Sequence, residues 1–154
     1  MTSYTATMAA DPVFLDTSLL VAASVGQHPG HLAAKSYLGT LAANQTPTCI
    51  SPQVCREFMV VLTRQPLAGR TFTVAEAMAA LDAWRTACTL LEEDGHVVRA
   101  WLQFVERFQV RGKQVHDCNL VAVMQVHGIQ RLATRNAADF QRYASLIHIE
   151  SITP

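Results

Sequence analysis

Short apolar runs that alternate with longer helical stretches constrain this chain more than any other feature of its sequence. Val13-Phe14-Leu15 stops at Asp16, Thr48-Cys49-Ile50 is closed by Ser51-Pro52, Thr89-Leu90-Leu91 precedes an acidic turn, and Leu132-Ala133-Thr134 follows Gly128. Runs this short read as strands buried on both faces. A weaker last strand is expected over residues 146–149.

The stretches between them carry helix signals. Residues 18–24 are small and apolar and make a first turn or two of helix. Pro29, after His28, opens a longer helix through Leu32, Tyr37, Leu38 and Leu41, which Thr46-Pro47 breaks. Ser51 is a helix N-cap with proline at the first helical position, and Val54, Phe58, Val61 and Leu62 then share one face. Thr73 and Glu76 have capping-box spacing and open a helix through Met78, Leu81 and Trp84. Asp94 caps a helix over residues 97–108, residues 109–114 read as a loop, and a helix over residues 115–127 stops at Gly128. Strands joined through helices give a single α/β domain over residues 13–154, a parallel central sheet flanked by helices.

Composition narrows the function. A chain of 154 residues that is 50% hydrophobic fills one full core. Only 16% is charged, with twelve Lys and Arg against twelve Asp and Glu, which excludes a general polyanion-coating protein. Cys49, Cys55, Cys88 and Cys118 make no C-x-x-C pair, so free thiols in a reducing compartment are expected rather than a zinc site. Residues 1–12 lack the basic start and apolar stretch of a secretory signal and read as a flexible tail, in which Met8 is an alternative start. No run approaches the roughly 20 apolar residues of a membrane span, so a cytoplasmic protein without a membrane partner is expected.

Most of the acids sit where water reaches them; Asp16, Glu57 and Asp117 do not. Asp16 ends an apolar strand, Glu57 flanks the apolar face of its helix between Val54 and Val61, and Asp117 shares a stripe with Leu120, Val121 and Met124. Burying one carboxylate costs several kcal/mol, and clustering several adds mutual repulsion. A divalent cation that favours oxygen ligands, Mg²⁺ or Mn²⁺, relieves both. In an open parallel sheet, sites form beyond the C-terminal ends of the strands, where all three acids can converge. The plainer reading is that each acid is an isolated cap or surface group.

These residues resemble a family. Phe14-Leu-Asp16-Thr-Ser18, Ser51-Pro-Gln-Val-Cys-Arg-Glu57-Phe58, Asp117 before Asn119-Leu-Val-Ala-Val, and Thr134-Arg-Asn136-Ala-Ala-Asp139-Phe140 resemble PIN-domain ribonucleases, and most of all the VapC toxins of type II toxin–antitoxin pairs. The resemblance implies an endoribonuclease dependent on Mg²⁺ or Mn²⁺, with Asp16, Glu57 and Asp117 as catalytic metal ligands. It also implies an RNA substrate, a homodimer and a VapB-type antitoxin. Where family members often carry an aspartate in Thr-x-Asp, this chain has Asn136, and Asp139 three residues on is the candidate for the missing charge. Asn136 as N-cap with Asp139 in the first turn is the alternative for that pair, and the two readings are compatible.

Around these ligands, Thr17, Ser18 and Thr134 are candidate hydroxyl supports, with a plain helix-start role open for Thr17 and Ser18. Arg135, Arg111 and Lys113 are the candidate RNA-phosphate contacts, and His116 is weighed between a phosphate contact and a surface role. Trp84, Trp101, Phe104 and Phe108 are read as core or dimer contacts. His28 and His31 lack a third ligand, which disfavours a zinc hydrolase. Ser18 stands where a haloacid-dehalogenase phosphatase needs its second acid, and the adjacent acidic pair of a receiver domain is absent. Two alternatives stay open: a PIN-fold protein-binding module with a weakened metal site, and a PIN nuclease that is not a toxin.

Overall fold

The structure, a computed structural model, describes residues 10–64 and 66–154. The first nine residues of the expected tail, Met8 among them, lie outside the described residues. Elements run β1 (Val13–Leu15), α1 (Thr17–Ser24), α2 (His31–Ala43), β2 (Thr48–Ile50), α3 (Pro52–Arg64), α4 (Val74–Ala87), β3 (Thr89–Leu90), α5 (Gly95–Phe108), α6 (Gln114–Val126), β4 (Arg131–Thr134), a 3₁₀ helix (Ala137–Tyr143) and β5 (His148–Ser151). The strands form one sheet in the order β3-β2-β1-β4-β5, and every neighbouring pair is parallel. This is the α/β architecture the alternation predicts.

The strand order explains where a site forms. From β1 the chain steps outward to β2 and β3, then crosses back to place β4 on the other side of β1. Connections therefore leave in opposite directions at the β1–β4 seam, which opens a crevice beyond the C-terminal ends of those strands. Val13, Phe14 and Leu15 on β1 pair with Arg131, Leu132 and Ala133 on β4, so both strands end at the same level. Asp16 follows β1, and Thr134 is the last residue of β4, at that edge.

α1 is apolar nearly all round and buried, and α6 is buried through its second half up to Met124. α1 buries Leu19, Leu20, Val21 and Ala22 and packs on α2, α3 and β4; α6 buries Cys118 and Leu120 through Met124 and packs on α5. α3 is amphipathic, with Val54, Phe58 and Leu62 in the core. Phe104 is buried, and Trp84, Trp101 and Phe108 pack against the core half-buried, with the Trp84 indole donating to Ser24 Oγ and that of Trp101 to the Val115 carbonyl. The four cysteines are free, and burial pushes their thiols up, so they pack as small apolar groups. No helix among the described residues is long and apolar enough to cross a membrane.

Local caps form as their spacing predicts. Thr73 and Glu76 make the reciprocal capping box, and Asp94 accepts from the backbone N–H groups of His96 and Val97. Several boundaries shift, α5 starting at Gly95 rather than at residue 97, and two of the shifts have a local cause. Pro29 does not open α2: the Gly30 N–H donates to His28 Nδ1 at 2.9 Å, which holds a turn, and the helix starts at His31. The last strand lies two residues late, because the Tyr143 carbonyl accepts from the N–H groups of both Leu146 and Ile147 and keeps them out of the sheet.

Candidate active site

The crevice at the β1–β4 seam is a cavity of about 540 Å³, and four carboxylates line it: Asp16, Glu57, Asp117 and Asp139. Each arrives on a different element. Asp16 is the residue between β1 and α1, Glu57 lies one and a half turns into α3, Asp117 is in the first turn of α6, and Asp139 is in the 3₁₀ helix. Thr17, Ser18, Arg135 and Asn136 line the same space.

Asp16 is only 6% exposed, and hydroxyls support it. Thr134 Oγ1 and Ser18 Oγ both donate to Asp16 Oδ2 at 2.7 Å. Burial nevertheless holds the Asp16 carboxyl above the usual carboxylate range, helped by Glu57 and opposed by the two hydroxyls. Asp117 is pushed up to about 7, first by desolvation and then by the charges of Asp16, Asp139 and Glu57. A buried carboxyl raised further by three neighbouring acids is the electrostatic sign of a shared acidic site.

Glu57 is gripped from two sides. Thr17 Oγ1 donates to its Oε2 at 2.7 Å, and Gln53 Nε2 donates to its Oε1 at 2.8 Å. Thr17, a candidate support for Asp16, thus holds Glu57 instead. Gln53, itself buried, also donates to the His116 carbonyl and accepts from Asn119 Nδ2 at 2.7 Å. These bonds tie α3 to the first turns of α6, where Asp117 lies. Sequence reasoning passed over Gln53, although it stands four residues before Glu57 on the same helical face.

At the fourth position, Asn136 occupies the N-cap of the 3₁₀ helix, and its side chain makes no capping hydrogen bond. Its N–H donates to Thr134 Oγ1 at 3.0 Å. Asp139 lines the cavity and is one of the three acids that raise Asp117. Among the phosphate candidates only Arg135 lines the cavity; Arg111 and Lys113 are exposed and outside its lining. His116 is exposed and borders a smaller adjoining cavity. Arg56 and His28, which were not singled out as phosphate contacts, also line the main cavity. Burial, then Arg135 and His31, pushes the His28 imidazole below its usual range.

The donor set is hard oxygen, suited to Mg²⁺ or Mn²⁺. Among the described residues no three His, Cys, Asp or Glu side chains form a ready-made ion cage. The four carboxylates instead share the lining of one cavity.

No curated protein matches the sequence. Among solved structures, a chain of VapBC2 from Rickettsia felis, determined bound to a promoter DNA fragment, is similar with a TM-score of 0.70 at 18% identity, covering 92% of this chain and 99% of that one. VapC20 of Mycobacterium tuberculosis, described as a Sarcin-Ricin loop cleaving toxin, has a TM-score of 0.64 at 24% identity, covering 88% and 96%. A chain of DNA-bound VapBC from Salmonella typhimurium has a TM-score of 0.66 at 16% identity, covering 93% and 99%. At these identities the likeness is one of fold. The family model for the PIN domain matches residues 13–146. That match begins at the first residue of β1, ends past the 3₁₀ helix and takes in every residue that lines the cavity, so the chain belongs to the PIN domain family.

Proposed function

We propose that this protein is a divalent-metal-dependent endoribonuclease and the toxin of a type II toxin–antitoxin pair. The observation that carries the reading is the convergence of four carboxylates on one cavity, with Asp117 raised by burial and then by the other three. Asp16, Glu57, Asp117 and Asp139 are the groups to hold Mg²⁺ or Mn²⁺, with the Asn136 amide oxygen as a neutral donor beside them. Such an ion polarises a phosphodiester and lowers the pKa of an attacking water.

The chain's own residues prepare that chemistry. Thr134 and Ser18 fix the rotamer of Asp16, and Thr17 with Gln53 fixes that of Glu57, so two carboxylates are oriented before any ligand arrives. Arg135 supplies positive charge at the cavity wall for a phosphate.

The apolar part of the same cavity supports the toxin reading. Val21, Val60, Val61, Leu67 and Phe140 adjoin the carboxylates, a surface suited to an antitoxin segment carrying both apolar and basic residues. Two of the similar structures are VapBC complexes, and the proposed partner is accordingly a VapB-type protein. Val98 and Leu102 stand exposed one turn apart on α5, a patch suited to homodimer contact.

The test is cleavage of a mixed RNA pool in Mg²⁺, in Mn²⁺ and in EDTA. Metal-dependent cleavage that Asp16→Asn abolishes is expected. Binding of RNA or antitoxin without cleavage in either metal would select the protein-binding module instead.

A further inference from the structure

Gly30 precedes α2 with φ −89° and ψ 6°, a conformation that does not require glycine. As a helix cap, glycine is no better than serine or asparagine. What glycine leaves open is the space beside it. A Cβ at Gly30 would displace the guanidinium of Arg135, meeting Cζ, Nε and Nη2. The arginine side chain therefore packs on a bare Cα, while its backbone N–H is anchored to Ser18 Oγ at 3.0 Å.

The same turn positions a second donor. His28 Nδ1 accepts from the Gly30 N–H, so the neutral ring carries its proton on Nε2. His28 and Arg135 both line the carboxylate cavity. Of the two arginines there, Arg56 faces Glu93 at 3.9 Å, whereas Arg135 makes no ion pair among the described residues. Arg135 Nε is buried and has no hydrogen-bond partner among them. Nε is covered at the Gly30 turn, and the rest of the guanidinium lines the cavity with no carboxylate among the described residues paired to it, so its planar forked terminal donors suit phosphate oxygens there.

We propose that Arg135, seated on Gly30 and joined by the Nε2–H of His28, forms a subsite for one phosphate group of a bound RNA strand, beside the carboxylate cluster. The inference rests on the nuclease reading. Gly30 is a positioning residue that acts only through Arg135.

The test is fluorescence anisotropy with a short labelled single-stranded RNA, in Ca²⁺ and over a range of KCl, for the full chain. Arg135→Gln is expected to weaken binding about tenfold and to flatten the log–log salt dependence by about 0.7. Gly30→Ser is expected to do the same at an unchanged melting temperature, because serine caps helices well. In the Arg135→Gln background, Gly30→Ser adds no further loss. Wild-type affinity and salt slope in Arg135→Gln overturn the subsite alone. A Gly30→Ser loss that persists without Arg135 overturns the seat. Wild-type protein that binds no RNA overturns the subsite and the nuclease reading together.

Discussion

Thr134 Oγ1 donates to Asp16 Oδ2 at 2.7 Å, joining the last residue of β4 to the residue that follows β1. Ser18 donates to the same oxygen, and Thr134 Oγ1 in turn accepts from the Asn136 N–H. Side-chain bonds thus continue the β1–β4 pairing past the point where the strands end. They fix the buried carboxylate on which the proposed chemistry depends.

Thr134→Val keeps the shape and removes that donor. Leaving the Asp16 oxygen a partner short is expected to cost about 1–3 kcal/mol of stability. Because the bond serves the ionised form, the loss shrinks as falling pH protonates Asp16. Calorimetric melting over a pH series checks both the size and the direction.

Asp117 sets a pH dependence with a definite sign. The folded protein keeps its proton up to about pH 7, while the unfolded chain releases it near the ordinary value of 3.8. Between those values the folded state binds more protons, so stability falls as pH rises. The contribution is complete below about pH 4 and lost through pH 7. Metal-free protein is expected to melt lower at pH 8 than at pH 5, and Asp117→Asn to flatten that decline. Mg²⁺ should raise the melting temperature more at pH 8 than at pH 6, since cation and proton compete for the same carboxylates. A metal gain independent of pH would count against Asp117 as a ligand.

Gln53→Leu breaks the tie between α3 and α6. Glu57 loses the donor to Oε1, and both the His116 carbonyl and Asn119 lose a partner. A stability loss of about 1–3 kcal/mol is expected, together with weaker Mn²⁺ binding in a calorimetric titration. Unchanged metal affinity in a destabilised protein would make Gln53 a packing residue only.

Asn136 and Asp139 separate by exchange of charge. Asp139→Asn removes one of the charges that raise Asp117, so the metal-free protein should hold or gain stability while metal binding and cleavage weaken. If Asp139 served only the helix dipole, its loss would instead lower stability by about 0.3–1 kcal/mol and leave the rate alone. Asn136→Asp adds a near-isosteric charge at the cavity and is expected to tighten metal binding. Cleavage rates and melting temperatures of the two variants decide.

Much of the fold was legible because the signals that carry it are local. Val13-Phe14-Leu15, Thr48-Cys49-Ile50 and Leu132-Ala133-Thr134 show as strands through composition and flanking breaks within a few residues. The Thr73–Glu76 box and the Asp94 cap each close over two or three residues, so sequence spacing alone specifies them. Asp16, Glu57 and Asp117 stood out because a carboxylate on an apolar stripe is costly wherever the helix docks.

What only the tertiary structure decided depends on residues distant in sequence. A hydroxyl beside Asp16 has two carboxylates within reach once α3 docks, and packing assigns Thr17 to Glu57 and Ser18 to Asp16. Arg111 and Lys113 precede Asp117 in sequence, yet they lie outside the cavity that Arg56 and Arg135 line. Arg111 and Lys113 sit in the turn before α6 while Asp117 is in its first helical turn, so adjacency along the chain does not select a shared direction. The close approach of Arg135 to Gly30 is likewise invisible until β4 carries the arginine against it. Backbone spacing determined the elements and marked the acids; the return of β4 alongside β1 determined which side chains meet.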